Sequence, residues 1–206
     1  MSIETIMNTS PVIPVMVIDK VENAVPLAKA LVGGGLKVLE ITLRTDAALE
    51  SIREIKAAVP EAIVGAGTVI NTATLDQALA AGSEFIVTPG TTPGLVDAAL
   101  SNGVQLLPGV NTPTEAMTLL EKGISALKFF PAEAAGGVPM LKSIGGPLPQ
   151  ISFCPTGGVN PNNAREYLAL KNVACVGGSW MAPANLVAEG KWEEIQHLAA
   201  EAATLG

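Results

Sequence analysis

One lysine of the sequence, Lys128, lies in the middle of an apolar run, ALKFFPAE. Burial removes water from an amine and disfavours its ammonium form, so a lysine in this position can attack a carbonyl carbon as a neutral nucleophile. No other lysine of the chain lies in such a run. The run therefore predicts covalent chemistry at an amine. The simpler alternatives are a lysine whose head reaches solvent at the rim, or one that neutralises a buried carboxylate.

A second apolar run, VLEITLR, contains the carboxylate of Glu40 between Leu39 and Ile41. Side chains alternate along a strand, so Glu40 and Arg44 are predicted to share one face. A carboxylate between apolar neighbours needs either a partner or a function. We interpret Glu40 as a functional carboxylate, and an ion pair between Glu40 and Arg44 is the alternative.

Two glycine-rich turns, CPTGGVNPNN at 154–163 and VGGSW at 176–180, follow the last two apolar runs. Glycines let backbone N–H groups approach an anion, and Ser179 adds a hydroxyl. The turns predict a phosphate site, and tight turns without a ligand are the alternative. Thr156 is predicted to face the same end of the strands, Thr68 is a candidate donor to a carboxylate, and Pro89 is expected to shape the pocket wall.

Other groups that support catalysis are scarce. The single histidine, His197, falls in the predicted C-terminal helix, where we expect it at the surface. Cys154 and Cys175 do not form a CxxC motif and are expected to be two buried thiols in a reducing compartment. No histidine lies in a cluster with acidic residues, so we expect no metal site. An amine nucleophile with one carboxylate is the coherent catalytic set that is left.

The elements that must position these residues are eight short apolar runs that alternate with helical stretches. The runs are Val12–Ile18, Val38–Leu43, Ile63–Val69, Phe85–Gly90, Gln105–Val110, Ala126–Pro131, Ser152–Gly158 and Val173–Trp180. The helical stretches are Val21–Val32, Asp46–Val59, Thr72–Ala81, Pro93–Ser101, Pro113–Lys122, Val138–Ile144, Asn162–Leu170 and Trp192–Ala203.

Strict alternation predicts parallel strands, and eight units predict an α/β fold of the (β/α)8 TIM-barrel type, formed by residues 1–206 as a single domain. The rival is an open doubly wound sheet, which the lack of a GxGxxG motif after the first strand disfavours. The segment Ile3–Asn8 is expected to form a short helix that plugs the bottom of the barrel. A site would then lie at the carboxyl ends of the strands.

Composition limits the classes of partner. Hydrophobic residues make up 49% and aromatic residues 3% of the chain, which predicts a large aliphatic core. The formal net charge is -7 and there is no lysine and arginine cluster, so nucleic acid is not an expected partner. The start of the sequence does not have the pattern of a signal peptide, and no apolar stretch reaches the length of a membrane span. We expect a soluble cytoplasmic protein that does not bind membranes.

The sequence strongly resembles the bacterial 2-keto-3-deoxy-6-phosphogluconate (KDPG) aldolases, which often also act on 4-hydroxy-2-oxoglutarate. The resemblance is carried, in order along the chain, by VLEITLRT, IVGAGTV, FIVTPG, LLPGV, LKFFPAE, FCPTGG and VGGSW. It implies a class I, Schiff-base aldolase without metal or cofactor. The implied reaction cleaves KDPG to pyruvate and glyceraldehyde 3-phosphate, as in the Entner–Doudoroff pathway, and 4-hydroxy-2-oxoglutarate to pyruvate and glyoxylate. It also implies a homotrimer.

The resemblance also implies a role for each matching residue. Lys128 forms the Schiff base, and Glu40 is the general acid and base. The carboxylate of the pyruvate half is held by Arg44 and Thr68. The pocket is lined by Pro89, Phe130 and Thr156. The phosphate is surrounded by Gly157, Gly158, Gly178 and Ser179.

Three other interpretations are open at this point. The first is an aldolase that acts mainly on 4-hydroxy-2-oxoglutarate, or on the galactonate-derived epimer of KDPG. The second is a phosphosugar isomerase or epimerase on the same barrel. The third is a barrel that binds a metabolite without turning it over. The glycine-rich turns favour a phosphorylated substrate, and the presence of Lys128, Glu40 and Arg44 together disfavours a protein that only binds.

Overall fold

The computed structural model describes residues 1–206 as ten α-helices and nine β-strands in an alternating order. The strands are β1 (Val12–Met16), β2 (Val38–Thr42), β3 (Ile63–Gly67), β4 (Phe85–Val87), β5 (Leu106–Leu107), β6 (Gly109–Val110), β7 (Ala126–Phe129), β8 (Ser152–Pro155) and β9 (Val176–Gly178). The helices are α1 (Ile3–Met7), α2 (Ala24–Gly33), α3 (Ala48–Ala58), α4 (Thr72–Ala80), α5 (Pro93–Ser101), α6 (Pro113–Glu121), α7 (Gly137–Gly145), α8 (Ala164–Leu168), α9 (Ala184–Ala188) and α10 (Trp192–Ala203). A 3-10 turn at Val21–Asn23 precedes α2. None of these helices has the length and apolarity needed to cross a membrane.

All strand pairings are parallel. One sheet has the order β5-β4-β3-β2-β1-β9, and a second sheet has the order β6-β7-β8. Two single bridges, Phe153 with Val173 and Thr156 with Gly177, join β8 to the stretch that leads into β9 and to β9 itself. The chain is therefore an α/β protein built from parallel sheets with helices between the strands.

The predicted run Gln105–Val110 forms two short strands because Pro108 interrupts it. Proline has no N–H to donate to a strand ladder. Before the break, β5 pairs with β4, and after it β6 pairs with β7. At the break the Gly109 N–H donates to the hydroxyl of Thr88 over 3.0 Å, so a threonine side chain takes the place of a ladder bond. The same stretch of chain thus contacts both sheets.

Two hydrophobic clusters fill the molecule. The larger one, with 47 buried residues, lies where helices pack on the strands. The smaller one, with 11, contains the opposite faces of the strands, including Phe85 and Val38 at the first positions of β4 and β2. Ile6 and Met7 of α1 belong to this inner cluster, so the N-terminal helix covers the amino ends of the strands. This agrees with the prediction for the segment Ile3–Asn8.

The strands are shorter than predicted, chiefly at their carboxyl ends. The chain leaves β2 at Thr42, β3 at Gly67, β4 at Val87 and β7 at Phe129. Beyond these points it turns toward the next helix and the ladder bonds stop. The helix predicted at Asn162–Leu170 is limited to α8, and α9 was missed because its five residues show too little periodicity. Consequently, many predicted site residues lie in turns just past the strands.

Candidate active site

The central feature of the site is a buried ion pair between Lys128 and Glu40. The Lys128 Nζ donates a hydrogen bond to Glu40 Oε1 over 3.2 Å. The side chains are only 7% and 4% exposed, respectively. Their strands, β7 and β2, are not paired with each other and belong to different sheets. The contact therefore crosses the space between the inner faces of the two sheets.

The strand β7 turns Lys128 inward because its side chains alternate. Leu127 and Phe129 are fully buried in the cluster under the helices, whereas Ala126 belongs to the inner cluster. Lys128 lies in register with Gly109 of β6 and Cys154 of β8. Both neighbours are small, so the long lysine side chain has room to extend across the interior.

Glu40 is held by a glycine on the neighbouring strand β3. A Cβ atom at Gly67 would overlap Glu40 Oε1 and would lie 2.8 Å from both Cγ and Cδ of the glutamate. Gly67 has ordinary strand backbone angles, so conformational freedom is not what this position needs. The absence of a side chain at Gly67 instead lets the Glu40 carboxylate lie flat against β3 and point to Lys128.

The geometry excludes one of the earlier alternatives for Glu40. Its ion-pair partner is Lys128, and the alternative pair of Glu40 with Arg44 is not formed. Arg44 lies exposed in the turn after β2 and donates to no protein acceptor. Burying two charges costs roughly several kcal/mol per ion, which the pairing repays only in part, so stability is a weak reason for such a pair. The hydrogen bond does allow direct proton transfer between the carboxylate and the amine.

Phe130 lies close to the pair, and Thr156 follows β8, the strand beside β7. The Lys128 Nζ is 5.3 Å from the centroid of the Phe130 ring, a distance at which a cation and a ring attract each other. Thr156 is 6% exposed, and its hydroxyl lies so close to Gly177 that a Cβ there would overlap it. The amine therefore has an aromatic neighbour in Phe130, and Thr156 places a buried hydroxyl at the end of the adjacent strand.

The structure places three further predicted residues at the carboxyl ends of neighbouring strands. Arg44 follows β2, Thr68 follows β3 and Pro89 follows β4. None of them forms a hydrogen bond with Lys128 or Glu40. Thr68 has a φ of 60°, and it is the only residue other than glycine with positive φ. Strain of this kind often concentrates at functional sites.

The first glycine-rich turn has a backbone suited to an anion. Gly157 and Gly158 have φ values of 100° and 82°, and their N–H groups donate to no acceptor within the protein. The side-chain amides of Asn160 and Asn163 donate to the Gly158 carbonyl over 3.1 Å and 3.2 Å. The Gly158 carbonyl is thus fixed by two hydrogen bonds within the protein. The N–H groups of Gly157 and Gly158 remain available for a ligand.

In the second glycine-rich turn, one predicted residue is buried by packing and the other is exposed at a cavity. Gly178 is buried, and a Cβ there would overlap the ring of Trp180, so packing alone explains this glycine. Ser179 is exposed and lines a cavity of about 390 Å³ between the loop after β1 and the loop around α9. Lys128 and Glu40 do not line this cavity.

The two cysteines are free and buried, as predicted. A hydrogen bond with Cys154 and complete burial raise the pKa of the Cys175 thiol well above its ordinary value. The thiol therefore stays protonated and unreactive. The predicted surface position of His197 is also confirmed, since its side chain is 76% exposed. No group of three or more histidine, cysteine or acidic side chains is arranged to hold a metal ion.

The chain is similar to known proteins over nearly its whole length. The pattern of the aldolase family described as KDPG and KHG aldolase matches residues 3–198. The KHG/KDPG aldolase of Escherichia coli is 52% identical over 201 residues, which cover 98% of this chain and 94% of that protein.

Two solved structures are also similar over nearly the whole chain. The KDPG aldolase of Legionella pneumophila, with pyruvate captured as a covalent carbinolamine, is 45% identical with a TM-score of 0.97, covering 99% of each chain. The KDPG aldolase of Zymomonas mobilis with 3-phosphoglycerate is 48% identical with a TM-score of 0.94, covering 99% of this chain and 96% of the other. From its sequence pattern, its relatives and its fold, this chain belongs to the KDPG and KHG aldolase family.

Proposed function

We propose that this protein is a class I aldolase that cleaves KDPG to pyruvate and glyceraldehyde 3-phosphate. In the same way it cleaves 4-hydroxy-2-oxoglutarate to pyruvate and glyoxylate. The observation that carries the proposal is the buried hydrogen bond of 3.2 Å between Lys128 and Glu40. The names of the relatives, and the carbinolamine captured in a structure 45% identical, support the same chemistry.

The first step is proton transfer from Lys128 to Glu40, which leaves a neutral amine in a buried environment. The amine attacks C2 of the keto acid, and its electron pair forms the new C–N bond. The C2 oxygen takes up a proton, which Glu40 returns, to give a carbinolamine. Loss of water then gives the protonated imine, which withdraws electrons from the neighbouring carbons.

The second step is cleavage of the C3–C4 bond. The Glu40 carboxylate removes the proton of the C4 hydroxyl, and the C3–C4 electron pair moves toward the iminium nitrogen. An aldehyde leaves and a pyruvate enamine stays on Lys128. Glu40 returns the proton to C3, and water hydrolyses the imine to free pyruvate. A positioned general base contributes roughly 10²–10⁴-fold to such a reaction.

The residues around the pair are proposed to hold the two ends of the substrate. Arg44 has a guanidinium without a protein acceptor at the rim, and it pairs with the carboxylate of the pyruvate half together with the Thr68 hydroxyl. The walls around the reacting carbons are formed by Pro89, Phe130 and Thr156. The phosphate is bound by Gly157, Gly158, Gly178 and Ser179. The free N–H groups at 157 and 158 support this assignment most strongly.

We also propose that the 206 residues close into one (β/α)8 barrel that assembles as a cytoplasmic homotrimer. The broken stretch of β5 and β6 and the bridges between β8 and β9 support closure, because they join the two sheets on both sides. If β5 and β6 count as one strand, eight strands surround the inner cluster. Sedimentation of the purified protein would measure the oligomer directly.

The direct test is pyruvate release by the wild-type protein, coupled to lactate dehydrogenase, with each of the two substrates and with or without a chelator. We expect turnover of both substrates, a higher kcat/KM for KDPG, and no effect of the chelator. Absence of pyruvate from both substrates would favour an isomerase or a binding protein. Loss of activity with the chelator would contradict a reaction that needs no metal.

A further inference from the structure

The carboxyl end of the LKFFPAE run carries a glutamate, Glu133, that the mechanism does not use. It lies exposed in the turn between β7 and α7. Its Oε1 accepts a hydrogen bond from the hydroxyl of Tyr167, which belongs to α8 and is fully buried. Glu133 thus connects the element that carries Lys128 with the helix that follows the first glycine-rich turn.

Burial and the hydrogen bond to Glu133 raise the pKa of the Tyr167 hydroxyl well above its ordinary value. The hydroxyl therefore stays protonated at neutral pH and remains a donor. Gly137 packs directly against this contact, because a Cβ there would lie 3.2 Å from the hydroxyl and 3.3 Å from Glu133 Oε1.

The same turn contacts the glycine loop directly. The Ala132 N–H donates to the Thr156 carbonyl over 2.8 Å, and the Glu133 N–H donates to the Gly157 carbonyl over 3.0 Å. A Cβ at Gly158 would lie 2.5 Å from Cγ and 2.7 Å from Cβ of Glu133. Gly158 therefore packs against the aliphatic part of Glu133. The carboxylate of Glu133 points toward Tyr167.

These contacts constrain the loop from two sides. The side chains of Asn160 and Asn163 donate to the Gly158 carbonyl. On the other side, Glu133 donates its N–H to the Gly157 carbonyl and packs its side chain against Gly158. The two free N–H groups are fixed in direction only as long as both sides are in place. A loose Glu133 would also bring a negative charge within reach of an anion bound at the loop, which weakens binding.

From this geometry we propose that Glu133 and Tyr167 are positioning residues that fix the Gly157–Gly158 loop for the phosphate of the substrate. The inference rests on the proposed function. It adds a pair of residues that determine substrate specificity without contacting Lys128 or Glu40. It makes the preference for a phosphorylated substrate depend on a tyrosine hydroxyl in a helix outside the site.

The test compares wild type with Tyr167→Phe on KDPG and on 4-hydroxy-2-oxoglutarate, which has no phosphate. Losing a hydrogen bond to a charged group should raise KM for KDPG roughly tenfold. The kcat for KDPG, both constants for 4-hydroxy-2-oxoglutarate and borohydride trapping with pyruvate should stay near wild type. Glu133→Ala should reproduce the effect, and it is the second variant if Tyr167→Phe does not fold, because it leaves the Tyr167 ring in place. Glu133→Gln, which keeps an acceptor oxygen and the packing, should restore most of the affinity.

A loss of kcat/KM of equal size for both substrates would show a merely structural role and would overturn the inference. An unchanged KM for KDPG in both Tyr167→Phe and Glu133→Ala would overturn it as well. A wild-type protein that releases pyruvate but does not prefer the phosphorylated substrate would reject the phosphate site itself. That result would remove the basis for both the proposed substrate and the positioning pair.

Discussion

Adding one methyl group at Gly67 should disable Glu40 without touching the glutamate itself. In the Gly67→Ala variant the new Cβ would lie 2.8 Å from Cγ and Cδ of Glu40, where ordinary contacts begin at 3.4 Å. The side chain must therefore retreat by at least about 0.6 Å, and its Oε1 by more. The hydrogen bond to Lys128 already measures 3.2 Å, the long end of the normal range, so the displacement breaks it.

A misplacement of about 1 Å at a catalytic group can reduce turnover roughly 10²-fold, and we expect a loss of kcat of that order for Gly67→Ala. The overpacking should also lower the free energy of unfolding by about 1–3 kcal/mol. The assay is pyruvate release from KDPG, measured beside chemical denaturation of the same preparation. Combining Gly67→Ala with Glu40→Asp, whose shorter side chain needs less room, should cost less than the two single effects added together.

The matched control is Gly65→Ala, two residues earlier on the same face of β3. Its Cβ would overlap the ring of Phe85 in the inner hydrophobic cluster, and the three atoms nearest to it all belong to that ring. We expect a comparable loss of stability with kcat close to wild type at a temperature where both variants are folded. The reasoning is refuted if Gly67→Ala keeps full turnover, or if Gly65→Ala loses as much kcat as Gly67→Ala.

Two further predictions concern strain and acid stability. Thr68→Gly relieves the strain of a φ of 60° and should raise the free energy of unfolding by about 1 kcal/mol. The KM for both substrates should rise, because the Thr68 hydroxyl is lost. A lower melting temperature with unchanged KM would contradict this prediction. Burial raises the pKa of Glu115, but hydrogen bonds from Asn111 and Thr112 outweigh it and hold the pKa below 4.5. The stabilisation by this carboxylate at the start of α6 is therefore complete above pH 4.5 and is lost as the pH falls through the lowered pKa. Melting curves should show Glu115→Gln below wild type at neutral pH, with a gap that closes in acid. A gap of constant size at every pH would contradict the linkage.

The inward direction of the catalytic side chains could be predicted from the sequence because strand periodicity is local. Lys128 shares parity with Ala126 and Glu40 with Thr42, so each pair had to face one side. The partner of Glu40 could not be predicted in the same way. Arg44 shares parity with Glu40, but the strand ends at Thr42, and after that point alternation no longer fixes a direction.

The contacts that position the site depend on distant parts of the chain. Gly67 was visible as part of GAGTV, but its overlap with Glu40 becomes apparent only when β2 and β3 are placed in register. The hydrogen bond between Glu133 and Tyr167 joins residues 34 positions apart. Neither residue stands out by type or spacing, and only their packing in the folded chain shows what they hold.

The measurement that tests the central claim most directly is borohydride reduction of the protein in the presence of pyruvate, followed by peptide mass analysis. A buried amine beside a carboxylate should form an imine with pyruvate, which borohydride converts to a stable secondary amine. We predict one adduct per chain, on the peptide that contains Lys128, and none in Lys128→Met. A stable adduct on a different residue, or none in the wild-type protein, would contradict the account.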